Sequence, residues 1–256
     1  MNKASYFWLE ERDILPGNGF TLWGSSHKTV IVVILFFIAV SIIAFGRVKG
    51  RYKELIMRSL AVLLPLLEVL KIAVLSAHGR MDIGHLPIHL CSIAIYVYPV
   101  IAFTRSGIVR ETFSEISMIT LLPAAVCAIV FPDWSMYPII NFYSLHSFVW
   151  HTLQVIFPIL CLSMGWCKPS IRHIWRNHVF MIICAGIILI FDHAYNCNYW
   201  FMIRPVRGTP LQFIYDRFGT GMYLPALAMT VTAVNVLMYG ILKIFIIMKI
   251  VKKENR

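Results

Sequence analysis

The sequence predicts an all-α, polytopic helical membrane protein with about seven transmembrane helices, its N-terminus outside and its C-terminus cytoplasmic. Hydrophobic residues make up 59% of the 256 positions and charged residues only 14%, and the mean hydropathy is +0.75. Soluble domains are nearer half apolar and a quarter charged. One soluble core of this size could not bury so many apolar residues, so a multi-pass protein of the cell membrane is expected.

The membrane spans are predicted from continuous apolar stretches. A spanning helix needs about 20 such residues. The stretches are apolar throughout rather than alternating, which favours helices over a barrel. The fourth is short and the last is long, and helix tilt can absorb both differences. The predicted spans are 29–46, 56–77, 86–103, 117–131, 144–164, 178–195 and 223–250.

The net charge of +11 predicts how these spans are oriented. With seven spans, fifteen of the 23 Lys and Arg residues fall on the side of the C-terminus, seven fall on the other side, and Lys71 lies within a span. Basic residues concentrate on the cytoplasmic side of membrane proteins. This asymmetry explains most of the charge, so no nucleic-acid partner is expected. A single membrane domain, 1–256, is predicted, with an extracytoplasmic segment 1–28, a helical bundle 29–250 and a basic cytoplasmic tail 251–256.

Ionisable residues within spans are costly and mark candidate functional sites. Four predicted helices carry them near their outer ends, which predicts a shared pocket below the extracytoplasmic surface. Glu68 and Lys71 could instead be an internal ion pair, and single interfacial histidines are often structural. The members of the set are Glu68, Lys71, His85, His89, His146, His151, Asp192 and His193. Of these, Glu68, His85, His146 and Asp192 are predicted to bind substrate.

The six cysteines form no Cys-x-x-Cys pair, which argues against a disulfide framework or a structural zinc site. Cys91 follows His89 by two residues. On a regular helix the two side chains would point to nearly opposite sides. Cys91 could therefore be activated only from another helix, for example by His151. The alternative is a small buried hydrophobic residue.

Several short motifs, taken together, indicate a family. They are Leu-Pro-Ile-His-Leu-Cys-Ser at 86–92, Phe-Pro-Asp at 131–133, His151, Asn-Cys-Asn-Tyr at 196–199, Arg-Pro at 204–205 and Thr-Pro at 209–210. In this order and at this spacing the sequence resembles the bacterial YwaF family of integral membrane proteins. That family is similar to eukaryotic transmembrane protein 164. The resemblance covers about residues 54–240.

The resemblance implies a membrane lipid acyltransferase that moves a fatty acyl chain between phospholipids. His89 and His151 match the histidines of the family, and Glu68, Asn198 and Tyr199 are further matches. The presumed nucleophile of the eukaryotic relative is a Cys directly before the motif histidine, and here that position is Ile88. This leaves direct transfer with a histidine base, or Cys91 as a displaced nucleophile.

Three functional hypotheses follow. In the first, His89 and His151 act as base and orienting partner, and Asn198 and Tyr199 donate hydrogen bonds to the oxyanion. Membrane phospholipid is then the partner, and no cofactor is expected. In the second, a zinc hydrolase, an ion is bound by residues drawn from His85, His89, His146, His151 and Asp192. In the third, a transporter, channel or lipid-binding protein, Glu68, Lys71 and Asp192 line a polar cavity.

Overall fold

The computed structural model describes residues 6–254, with side chains described through Phe245, and throughout that part of the chain the secondary structure is helical with no strand. The side chains of the predicted tail 251–256 lie outside the described residues. The long helices are α1 (Ser25–Arg47), α2 (Gly50–Ala77), α3 (Ala94–Phe103), α4 (Ile108–Ile116), α5 (Leu122–Val130), α6 (Phe142–Ser163), α7 (Ile174–Tyr195) and α8 (Pro210–Glu254).

Helices α4 and α5 form one span, because a π-helical turn at Ser117–Leu121 joins them without a break. Six helices in the described chain are long and apolar enough to cross a membrane, and Cys91–Phe103 is a shorter apolar helix. The predicted class, a polytopic helical membrane protein, is therefore confirmed. The fourth span was predicted too short. It begins at Ile108 rather than at 117, because the charged residues of its first turns interrupt the apolar pattern.

The third predicted span was wrong at its start. Residues 86–90 are not helical, and the apolar helix begins at Cys91. Its thirteen residues rise only about 20 Å, less than the roughly 30 Å of a hydrocarbon core. The outer part of this crossing is therefore a folded loop. Irregular backbone at membrane depth requires cover from protein or water.

The last span also differs from its prediction. The segment 196–222 was expected to be one long loop, whereas α8 already begins at Pro210. A non-helical residue, Gly219 (φ +69), divides α8 into a short first part and a long second part. A positive φ suits glycine, which has no Cβ. The loop proper therefore shrinks to about 196–209.

Helix burial separates a centre from a periphery. Of the most apolar 18 residues of α6, 67% are buried inside the protein. The corresponding share is 11% in α1 and in the span that contains α7. In the centre the rings of Tyr98 and Phe157 stack at 4.1 Å. The outward apolar residues of α1 are of the kind that faces lipid, for example Phe36, which is 70% exposed. The central helices therefore position any internal site.

The loops divide between two ends of the bundle. The outer end holds the N-terminal segment and the loops 78–90, 131–141 and 196–209. The inner end holds residues 48–49, 104–107 and 164–170, where basic residues concentrate. The N-terminal segment is packed onto the outer end: the Asn141 side chain donates to the carbonyls of Tyr6 and Leu9 at 2.7 and 3.0 Å. At Gly19 an added Cβ would lie 2.2 Å from the Ser135 carbonyl oxygen, so only glycine permits this contact.

Candidate functional site

Depth along the helices separates the predicted site residues into two groups. Glu68 lies nine residues before the outer end of α2, and His151 lies nine residues after the outer start of α6. At 1.5 Å per residue both are about 14 Å along their helices. His146 and Asp192 are only about 5–6 Å from the ends of theirs. The expected common depth therefore holds for Glu68 and His151, and the others lie nearer the surface.

Glu68 and Lys71 form an ion pair on α2. Lys71 Nζ lies 2.6 Å from Glu68 Oε1, and the side chain of Glu68 is 5% exposed. Next to this pair, His146 Nε2 donates to the carbonyl of Leu67 at 3.0 Å, which links α6 to α2. The His146 ring also stacks on Trp150 at 5.5 Å. His146 is therefore engaged in a helix–helix contact rather than placed alone at the interface.

His151 is buried and its tautomer is defined by its contact. Its Nδ1 lies 2.7 Å from the carbonyl oxygen of Ser147, one turn earlier. A carbonyl only accepts, so Nδ1 carries the proton and Nε2 is left as an acceptor. The ring stacks on Trp134 with a centroid distance of 5.0 Å and an interplanar angle of 14°. A neutral imidazole held in this way is suited to accept a proton at Nε2.

His89 lies in the loop before α3, close to His85. The two histidines do not lie on one helix, because His85 ends a 3₁₀ turn, Ile83–His85, and His89 follows it in the loop. His89 Nε2 is 3.4 Å from the Gly84 carbonyl oxygen, and its ring packs 4.5 Å from that of Tyr199. Burial lowers the pKa of His89, and the positive charge of Lys71 lowers it further.

His85 lies at the edge of this region. Its Nε2 is 3.9 Å from Glu10 Oε1 and 3.8 Å from Asp82 Oδ1. Burial lowers the pKa of His85, against the raising effect of these two carboxylates. His85 therefore connects the N-terminal segment to the loop that carries His89. His193 is exposed, and its hydrogen bond in the described chain is within its own helix, to the Leu189 carbonyl at 2.8 Å.

The loop after α7 covers the His89 loop. The backbone N–H of Tyr199 donates to Asp192 Oδ1 at 2.9 Å, and its hydroxyl donates to the Ile83 carbonyl. Trp200 Nε1 donates to the carbonyl of Ile88 at 2.9 Å. Trp200 and Phe201 both have positive φ, 57° and 54°. Such backbone is costly for non-glycine residues and is found where surrounding contacts enforce it.

The contacts of Asn198 and Tyr199 bear on their expected role as oxyanion donors. The Asn198 amide donates to the Arg204 carbonyl at 2.8 Å, and its oxygen accepts from the Ile203 and Arg204 N–H groups. The Tyr199 hydroxyl is engaged with Ile83. Both polar groups are therefore used in holding the loop. Asp192, predicted to bind substrate, is fully buried and holds the same loop through Tyr199.

Cys91 begins the short third helix and is half-buried. No hydrogen bond joins it to a histidine in the described part of the chain. The expected regular helix through 89 and 91 is absent here, because His89 belongs to the loop. The neighbouring Ile88 is fixed through its carbonyl, which accepts a hydrogen bond from Trp200 Nε1 at 2.9 Å.

Two residues that sequence reasoning missed complete the surroundings of His151. Among the described residues, Trp134 Nε1 and both polar side-chain atoms of Gln154 are buried without a hydrogen-bond partner. Gln154 is 0% exposed and lies one turn after His151 on the same helix face. A polar spacing of Ser144, Ser147, His151 and Gln154 along α6 could have signalled this face. We call Glu68, Lys71, His89, Trp134, His151 and Gln154 the outer cluster.

A second polar group, the inner cluster, was also missed. Glu115 is 3% exposed and accepts from the Ser170 N–H at 3.0 Å, from His173 Nδ1 at 2.9 Å and from the Tyr239 hydroxyl at 2.9 Å. Asn177 in turn donates to the Tyr239 hydroxyl at 2.8 Å. The inner cluster thus joins α4, α7 and α8. We define it as Glu115, His173, Asn177 and Tyr239.

The zinc hypothesis requires three ligands around one point. In residues 6–254, as far as they are described, no group of three His, Cys, Asp or Glu residues is placed to hold a metal ion. A neutral histidine with hydrogen-bond donors beside it instead fits proton transfer without a bound ion.

The fold and this arrangement define a polytopic α-helical membrane protein with a buried histidine cluster towards one end of its bundle. Sequence comparison gives the family: the profile of the TMEM164 family matches residues 22–243, so the chain belongs to the TMEM164 family. Neither curated proteins nor solved structures gave a significant match. The expected relation to transmembrane protein 164 is confirmed, whereas the assignment to the YwaF family stays a prediction.

Proposed function

We propose that this protein is a lipid acyltransferase of the cell membrane, a bacterial YwaF-type relative, that moves a fatty acyl chain between phospholipids in the outer leaflet. The observation that carries the proposal is the state of His151. Its Nδ1–H is held by the Ser147 carbonyl at 2.7 Å, so Nε2 is available as a base in a buried, polar part of the bundle.

The proposed reaction is a direct transfer. The hydroxyl of a lysolipid loses its proton to His151 Nε2 while its oxygen attacks the ester carbonyl carbon of a donor phospholipid. The tetrahedral oxyanion collapses, the donor's C–O bond breaks, and His151 returns the proton to the departing lysolipid alkoxide. One ester is made and one is broken, with no net oxidation, reduction or cofactor. A positioned general base of this kind contributes about 10²–10⁴-fold in rate.

Other members of the outer cluster have supporting roles. His89 packs against Tyr199 at 4.5 Å in the loop before α3, and we assign it the orientation of the acceptor hydroxyl. Lys71, paired with Glu68 at 2.6 Å, lies nearer the outer end and places positive charge on the approach for a lipid phosphate. His85 and His146 support the loop and helix contacts described above.

Direct transfer is favoured over a Cys91 acyl-enzyme for two reasons. The position before His89 is Ile88, which has no nucleophilic atom. Cys91 has no histidine hydrogen-bonded to it in the described chain, whereas an activated thiol needs an adjacent base.

The test is acyl movement measured with the purified full-length protein in vesicles. The vesicles carry a phospholipid with an isotopically labelled acyl chain and an unlabelled lysophospholipid, and products are read by mass spectrometry. We expect label in the former lysolipid with the wild type and not with the His89→Ala/His151→Ala variant. Thr152→Val is a matched control, because its hydroxyl bonds only to its own helix, at Phe148. No movement with the wild type, or equal movement with the double variant, would overturn the proposal.

A further inference from the structure

We propose that Trp134 and Gln154 form a binding site for an ester carbonyl beside His151, in place of the roles expected for Asn198 and Tyr199. The inference deepens the proposed function and rests on it for the identity of the ligand. Its starting point is the presence of two buried hydrogen-bond donors, Trp134 Nε1 and Gln154 Nε2, without a partner among the described residues.

Unpartnered donors of this kind are unusual in a protein interior. Burying an amide or an indole N–H without a hydrogen bond is unfavourable, and it is more so in a membrane, where the surrounding hydrocarbon offers no replacement. Gln154 is 0% exposed and Trp134 is 7% exposed. A bound group that accepts hydrogen bonds would satisfy both.

The two donors flank the proposed base. Trp134 stacks on the His151 ring at 5.0 Å and packs edge-on against Phe148 at 5.4 Å. Phe148 and Gln154 stand three residues before and three residues after His151, so they lie on either side of it on the surface of α6. An acceptor that reaches both the Trp134 and the Gln154 N–H groups would therefore lie beside the His151 ring.

The acceptor best suited to this place is a neutral carbonyl. Indole N–H only donates, and the Gln154 amide can present its NH₂ group. Lys71, the cation of the outer cluster, is already paired with Glu68 at 2.6 Å, whereas tight binding of an anionic phosphate would require a charge-assisted hydrogen bond. Donors aimed at a carbonyl oxygen bind it more strongly as it becomes an oxyanion, so Trp134 and Gln154 would touch the reacting ester in the transition state.

The test reads the carbonyl directly. Purified full-length protein in detergent binds a donor phospholipid with ¹³C at its ester carbonyls, and isotope-edited infrared spectra record the stretching frequency. We expect a bound band at lower frequency than in detergent alone. Trp134→Phe, which keeps the stacking on His151, and Gln154→Leu should each lose part of this shift. Their combination should lose all of it, and Thr152→Val should keep it.

The outcomes separate this inference from the proposed function. A shifted band that survives in both variants, or no shifted band with the wild type, would overturn the carbonyl site. If the variants lose the shift but the wild type moves no acyl chain, the carbonyl site is retained and the proposed transferase activity is overturned. If Gln154→Leu does not fold, Trp134→Phe alone decides, because it removes one donor and preserves the ring.

Discussion

The outer and inner clusters are both buried and polar, and they differ in whether buried hydrogen-bond donors are left without a partner. At the inner end, the Glu115 carboxylate accepts three hydrogen bonds from three segments, and the buried atom of the cluster without a partner among the described residues is an acceptor, Asn177 Oδ1. At the outer end, Trp134 Nε1 and the Gln154 amide have no partner among the described residues. Satisfied buried polar groups specify and stabilise packing. Unsatisfied ones are candidates for ligand binding, so we assign structure to the inner cluster and chemistry to the outer one.

The largest effect expected from this comparison is the loss of stability when Glu115 is removed. Glu115→Ala leaves its buried donors without an acceptor, and breaking such a network costs about 3–5 kcal/mol. Thermal unfolding in detergent should show a strongly lowered Tm. The control is Glu111→Ala, which removes an exposed pair with Lys168 at 2.7 Å and should cost about 0–1 kcal/mol. Equal Tm values for both variants would contradict a structural role for the inner cluster.

Asp192 provides an intermediate effect, because it acts on the outer cluster through Tyr199. Asp192→Ala removes the acceptor of the Tyr199 N–H, which costs about 1–3 kcal/mol for an unsatisfied group. With the covering loop loosened from His89, we expect acyl transfer to slow about tenfold, equivalent to roughly 1.4 kcal/mol. Asp192→Asn retains an acceptor oxygen and should restore most of the rate. A rate unaffected by Asp192→Ala would show that this loop does not position His89.

The pH dependence sharpens the same comparison. Burial lowers the pKa of His89, so the ring stays neutral below pH 6.5, the ordinary pKa of a histidine. We expect the rate of acyl transfer to stay constant as the pH falls through 6.5 and to decrease only in more acid solution. The lowered pKa also has a stability consequence: below 6.5 the unfolded chain binds the proton first, so the free energy of unfolding decreases as the pH falls. If ¹⁵N-histidine NMR showed His89 taking up its proton at pH 6.5, a buried, neutral His89 would be contradicted.

Cys91→Ser should have the smallest effect. In direct transfer the thiol forms no bond to the acyl group, and we expect the rate to stay within about twofold of the wild type, roughly 0.4 kcal/mol. The measurement is the labelled-lipid assay, corrected for folded protein. A loss of more than a hundredfold would instead identify Cys91 as the nucleophile of an acyl-enzyme.

The sequence predicts those features of the structure that are determined by residues close together along the chain. Apolar runs of membrane length are local, so the class and most spans followed from composition. Residues 86–90 are as apolar as a helix, yet they fold as a loop held by Trp200 and Tyr199 from a distant segment. A pattern along one stretch of chain carries no information about such a partner.

The site residues divide in the same way. His89 and His151 stand out because ionisable side chains are rare in apolar runs. Gln154 and Trp134 do not, since an amide or an indole is unremarkable until its missing partner is visible. Glu115 lies just before the predicted fourth span, 117–131, because charges in the first turns of its helix, Ile108–Ile116, obscure where the span begins. Finding the inner cluster from the sequence would therefore have required the correct start of the fourth span, which composition alone does not give.

The most direct measurement of the central claim is the rate of labelled acyl transfer per folded molecule for His151→Gln. Glutamine can still fill the space beside Trp134, but it cannot serve as the base. We predict a rate at least about 100-fold below that of the wild type, with Tm unchanged within error. A His151→Gln protein that transfers acyl chains at the rate of the wild type would contradict the account.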